Sequence, residues 1–95
     1  MFLITLNPED PFSSAFKRAF KKKIKGNQDL ETRFWQKLDL FILDPFDPTL
    51  KTHKLSGKLK DLWSFSVGYD ERVLFYFTED EKAVFVDMGS HDEVY

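Results

Sequence analysis

The chain of 95 residues is 42% hydrophobic and 17% aromatic, with 11 Phe and a formal net charge of −2. A chain of this length builds one domain, here 1–95, and the aromatic content excludes disorder, which lacks the bulky groups that offset ordering entropy. With no cysteine and no apolar run near the roughly 20 residues that cross a bilayer, disulfides, thiolate zinc sites, cysteine nucleophiles and a membrane span are excluded.

Phe2 to Leu6 reads as a short strand, stopped by Asn7-Pro8 and Asp10-Pro11. It is apolar but lacks the basic start and the length of a secretory leader, so a cytoplasmic protein is expected. Phe12, Phe16, Phe20 and Ile24 then recur every fourth residue, which predicts an amphipathic helix from about residue 12 or 13 to Gly26. Ser13 or Ser14 serves as its N-cap, and Gly26-Asn27 supplies a left-handed close with a cap for the next helix. Leu30, Phe34, Leu38, Phe41 and Ile42, with Trp35 on an adjoining strip, write a second helix over 28–43, ended by Asp44-Pro45. So short a connection makes an antiparallel helical hairpin, whose aromatic stripes need a sheet to bury against.

That sheet follows a loop at 44–48 and a basic stretch at 51–60. In Leu62 to Val67, Trp63, Phe65 and Val67 share one face while Ser64 and Ser66 share the other. Arg72 to Phe77 sets Val73, Phe75 and Phe77 opposite Arg72, Leu74 and Tyr76, and Ala83 to Met88 follows a polar turn. Tight spacing predicts an antiparallel meander, beyond which the tail from Gly89 carries His91 past the end of the last strand. The expected fold is α+β: an N-terminal strand, then a helical hairpin packed on an antiparallel β-sheet.

Charge is segregated. Residues 17–25 hold six cations and no acid, residues 51–60 hold four lysines and no acid, and Asp61 to Tyr95 holds nine acids against Arg72 and Lys82. Contact with a polyanion depends on the local patch rather than on the net charge, so two lysine-rich segments can face phosphate; a solvated helix face and a basic loop explain them equally simply.

No P-loop, dinucleotide fingerprint, EF-hand, zincin helix or serine nucleophile elbow is present. What remains is a polar set at strand ends: His53, Lys54, Lys58, Asp70, Arg72, His91 and Tyr95. Cleavage of RNA by its own 2′-hydroxyl needs a base, an acid and cations around the phosphate. His serves both proton roles near neutral pH, Arg and Lys stabilise the phosphate, and an aromatic stacks a base. Taken singly, each residue also has a plain structural reading: a loop bridge for His53, a surface tail for His91, a pair with Asp70 or Asp87 for Arg72, solvation for the lysines, and edge packing for Tyr95.

The ordered run Phe16-Lys17-Arg18-Ala19-Phe20, Phe34-Trp35, Asp44-Pro45-Phe46, His53-Lys54-Leu55-Ser56-Gly57, Leu62-Trp63-Ser64-Phe65, Tyr69-Asp70-Glu71-Arg72-Val73 and Gly89-Ser90-His91-Asp92-Glu93-Val94-Tyr95 resembles the RelE/ParE superfamily of type II toxin–antitoxin toxins, nearest to its RelE/StbE and YafQ-like members. The resemblance covers nearly the whole chain, with Asn7 to Pro11 looking like an insertion. It implies a bacterial or archaeal toxin that cleaves mRNA, usually on the translating ribosome, without metal or other cofactor, until a cognate antitoxin wraps it. It implies roles for His53 (H-x-L-x-G motif), His91 (closing G-S-H), Tyr95, Arg72 and, through a looser alignment, Asp70. Lys51, Lys54, Lys58 and Lys60 are expected to hold RNA. The basic segments would also attract an acidic antitoxin segment, and any contact with DNA is expected only through the antitoxin. Two departures stand out: Ser66 or a neighbour replaces the additional His of YafQ-like toxins, and the chain is acidic. A ParE-like gyrase poison and a degenerate antitoxin-binding relative are the competing readings, since fold does not separate them.

Overall fold

A computed structural model describes residues 11–95 and the backbone pairing of Thr5–Leu6. Of the first expected strand, Thr5–Leu6 is β1; the rest of it, and the insertion-like segment up to residue 10, lie outside the described residues.

Helix α1 spans Ser14–Ile24, and the Ser13 hydroxyl caps it by accepting from the Phe16 amide at 3.1 Å. Gly26 turns the chain at φ +73°, a left-handed value that costs glycine little. The Asn27 side chain then accepts from the Leu30 amide at 3.1 Å, opening α2 over Gln28–Leu43. The hairpin is therefore specified locally. Within α2, Leu30, Phe34, Leu38 and Phe41 are buried, whereas Ile42 joins Trp35 on the exposed side because the helix turns it off the stripe.

The expected basic loop holds more structure than its composition suggests. A 3-10 turn at Pro48–Leu50 leads into β2 (His53–Lys54), and a second at Gly57–Leu59 leads into β3 (Trp63–Ser66). Strands β4 (Glu71–Phe77) and β5 (Lys82–Ser90) complete a sheet ordered β1-β5-β4-β3-β2. Strands β3 to β5 form the expected antiparallel meander, which β2 extends beside β3, and β1 adds to it in parallel beside β5.

The helices cover one face of this sheet. Phe16, Phe34, Phe41, Phe65, Phe75 and Phe85 are fully or almost fully buried there, joined by Val67, Val73, Ala83 and Met88. Burying each such ring contributes roughly 1.5–3 kcal/mol, so the phenylalanines dominate the core. Simple alternation from Ala83 sets Met88 opposite Phe85, yet both lie in the core. The register explains this: Leu74 pairs with Asp87 and Phe75 with Phe85, leaving Val86 as an extra residue, a bulge. The bulge turns Asp87 and Gly89 onto the other, open face.

The tail, too, differs from a loose end. His91–Val94 form a short helix, α3, closed by a capping box in which Ser90 accepts from the Glu93 amide and Glu93 accepts from the Ser90 amide. A side chain at Gly89 would begin only 3.0 Å from Val94 Cγ1 and 3.1 Å from Glu93 Cβ. Glycine at that position is what lets α3 lie against β5.

Candidate active site

Cross-strand partners present their side chains on the same face, and alternate residues do so along a strand. His53 pairs with Ser64, and Ser66, two residues on, pairs with Arg72; Arg72 in turn pairs with Gly89. His53, Ser64, Ser66 and Arg72 thus share the open face. Lys54 pairs with Trp63 and belongs to the helix-covered side, so it does not join them.

Two buried serines organise this face. The Tyr95 hydroxyl donates to Ser64 Oγ at 2.5 Å, drawing the end of the chain across β3. Arg72 Nη1 donates to Ser66 Oγ, which satisfies the buried hydroxyl and fixes the guanidinium. Among the described residues Arg72 has no ion pair with Asp70 or Asp87, so its charge is not neutralised by a carboxylate. His91 lies edge-on to Tyr95 with ring centroids 4.6 Å apart, as expected four residues apart on one helical turn. Its Nδ1 is 3.5 Å from Asp92 Oδ1.

His53 is exposed, and its Nδ1 lies 2.9 Å from the Lys51 carbonyl oxygen. A carbonyl can only accept, so Nδ1 carries the proton and Nε2 keeps the lone pair of the neutral ring, the form a base requires. Lys58 and Tyr95 border one cleft of about 360 Å³, together with Leu55, Ser56 and Leu59. The turn at 57–59 therefore stands beside the open face. Lys51 and Lys60 are exposed outside that cleft. Asp70 is exposed in the β3–β4 turn, where its charge acts on Lys23.

Lys23 and Glu93 escaped the sequence reading. Lys23, from α1, bonds Glu93 Oε1, the same oxygen that accepts from the Ser90 amide at 2.8 Å. One carboxylate thus ties α3 to α1 while completing its own cap. The S-x-x-E spacing of Ser90 and Glu93 was the available signal for the cap; nothing in the sequence signalled Lys23. The Lys23 bond and the Ser90 donors hold the Glu93 carboxyl down at about 2, from an ordinary value of 4.5. A lowered carboxyl pKa stabilises the folded form above pH 4.5, and that contribution disappears as the pH falls through about 2. The expected result is a Glu93 carboxyl resonance that titrates near pH 2, returning toward 4.5 in Lys23→Gln when followed by NMR.

Comparison with solved structures then fixes the fold. The chain superposes on YafQ from Escherichia coli BL21(DE3) with a TM-score of 0.75 at 20% identity, covering 88% of this chain and 93% of that one. The fold is that of the RelE/YafQ-type toxins. YafQ in the E. coli DinJ–YafQ toxin–antitoxin complex gives a TM-score of 0.70 at 17% identity, over 88% of this chain and 92% of that one. A metal-bound toxin from Helicobacter pylori matches over 100% of both chains at 26% identity, with a TM-score of 0.68. Among the described residues, no three His, Asp or Glu side chains of this chain converge as metal ligands. No family model and no curated protein matches the sequence. No helix among the described residues is long and apolar enough to cross a membrane.

Proposed function

We propose that the protein is the toxin of a type II toxin–antitoxin pair and that it cleaves mRNA through the 2′-hydroxyl, arresting translation. The observation that supports this reading is the sharing of one sheet face by His53, Arg72 and Tyr95, with His91 against the tyrosine. In the reaction, a base removes the 2′ proton as the 2′ oxygen bonds to phosphorus. The bond to the 5′ oxygen then breaks, and an acid delivers a proton to it, leaving a cyclic phosphate and a 5′-hydroxyl. His91 and His53 divide the two proton transfers; the free Nε2 of His53 suits it to either the transfer or a phosphate contact. Arg72, bonded to Ser66 and without a carboxylate partner among the described residues, stabilises the pentavalent phosphate. Tyr95, its hydroxyl already engaged, offers the ring for base stacking, while Lys58 and Lys51 attract the backbone. Lys54, Lys60 and Asp70 contribute at most at the margin of this arrangement.

The cognate antitoxin is proposed to be a protein whose acidic segment lies over the basic patches, as the DinJ–YafQ neighbour carries its own antitoxin. The target is mRNA on the ribosome. Expression without the neighbouring small open reading frame should stop growth and generate new 5′ ends in mRNA, and co-expression should relieve both. Arrest with intact mRNA and an induced SOS response would instead select the gyrase-poisoning reading. Unaffected growth would select the inactive relative.

A further inference from the structure

A second basic feature lies at the edge of the sheet, where β2 stops short. β2 pairs with β3 only at His53–Lys54, so the edge of β3 beyond Ser64 has no strand partner. Continuing the register would set Lys51 opposite Ser66. An open cleft of about 470 Å³ occupies this place, lined by Arg33, Gln36 and Lys37 of α2, Thr49 and Lys51 of the preceding turn, and Ser66. The lining holds three cations and neutral donors. The acid beside it among the described residues is Asp29, which pairs with Arg33 through Nε and leaves Lys37 and Lys51 without an ion pair.

The arginine is paired along its helix but stays half exposed. Arg33 Nε donates to Asp29 Oδ2 at 2.9 Å, one helical turn away, while Nη1 lies 3.8 Å from where a side chain at Gly68 would begin. Its guanidinium thus lies beside Gly68, just past the end of β3 and at the cleft. Two lining residues also hold groups of the reaction face. The Lys51 carbonyl accepts from His53, and Ser66 Oγ accepts from Arg72. A chain with a charge at every residue could thus be gripped here and on the open face at once. Arg and Lys flanked by amide and hydroxyl donors suit phosphate oxygens.

We propose that this cleft is a phosphate subsite, seating the RNA backbone beside the scissile phosphodiester through Arg33 and Lys37. This rests on the ribonuclease reading, and it makes the substrate a strand longer than the two nucleotides that flank the cut.

The test uses a mixed-sequence six-nucleotide RNA, 2′-O-methylated at every ribose so that it binds without being cut. Arg33→Gln/Lys37→Gln, which retains helix-forming residues, should bind it about tenfold more weakly at low salt. The slope of log affinity against log salt should fall by about 0.7 for each phosphate that is no longer neutralised. Lys21→Gln/Lys25→Gln, the same change of net charge on α1, should bind within twofold of the parent, with all three proteins sharing one circular-dichroism spectrum. Parental affinity and slope in the α2 variant would overturn the subsite while leaving the nuclease reading intact. Equal weakening in both variants would also overturn it, because the overall field would account for it. So would failure to bind antitoxin with RNA binding retained, which makes the cleft a protein-binding surface. A parent protein that ignores the hexamer yet cuts mRNA during translation removes the subsite alone. A parent that does neither removes the nuclease reading with it.

Discussion

The His53→Ala/His91→Ala protein should allow growth and cut mRNA about 10⁴-fold more slowly than the parent in a purified translation mixture. Each positioned acid or base contributes about 10²–10⁴-fold, and groups that act in one step do not combine additively, so the larger single effect sets the scale. Both imidazoles are exposed, which separates catalysis from stability: surface substitutions of this kind stay within about 0.5 kcal/mol. The single variants should differ in kind. His91→Ala also removes the ring against Tyr95, so base stacking should weaken along with proton transfer. His53→Ala loses the imidazole and its bond to Lys51 but leaves Tyr95 and Arg72 in place. Unchanged arrest and unchanged mRNA ends in the double variant would remove both histidines from the chemistry.

The largest effect on stability is expected at Phe85. Its ring lies within 5.5–6.5 Å of the rings of Phe12, Phe16, Phe34, Phe41, Phe65 and Phe75, and it has no exposed surface. It therefore links α1, α2, β3 and β4 at one point. Phe85→Ala should destabilise the fold by about 3–5 kcal/mol, through reduced burial and the cavity left behind. Against a total of roughly 5–15 kcal/mol that is a large share, and a domain of this size should melt at least 12 °C lower, at about 4–8 °C per kcal/mol. Urea or thermal unfolding followed by circular dichroism measures it. Phe85→Leu should cost much less than the alanine, and equal costs would mean that the cluster tolerates a cavity at its centre.

The parts legible in the sequence are those set by local rules. The fourfold spacing of Phe12, Phe16 and Phe20, the caps at Ser13 and Asn27, and the alternation of Trp63, Phe65 and Val67 with Ser64 and Ser66 each act within a few residues. They specify the helical hairpin and the two-faced strand. Pairing geometry places His53 and Arg72 on one face, and the bond to Ser64 brings Tyr95 to it. What was not legible depends on pairing between distant segments. The bulge at Val86 places Met88 in the core against the simple alternation, and the pairing of His53 with Ser64 assigns Lys54 to the opposite side. The bond from Lys23 joins residues 70 positions apart, which no periodicity can announce. The Ser90-x-x-Glu93 cap, by contrast, was legible and went unread, because a polar tail offered no hydrophobic period to look for.

A helix of four residues cannot sustain itself in water, so α3 exists only while its neighbours hold it. Ser64, Gly89 and Lys23 supply those holds from three separate parts of the chain, whereas the phenylalanine cluster needs none of them. The segment carrying His91 and Tyr95 can therefore lift away while the body of the protein stays folded. Under mild warming this segment opens before the phenylalanine cluster melts, and on cooling it closes again without the body having to refold.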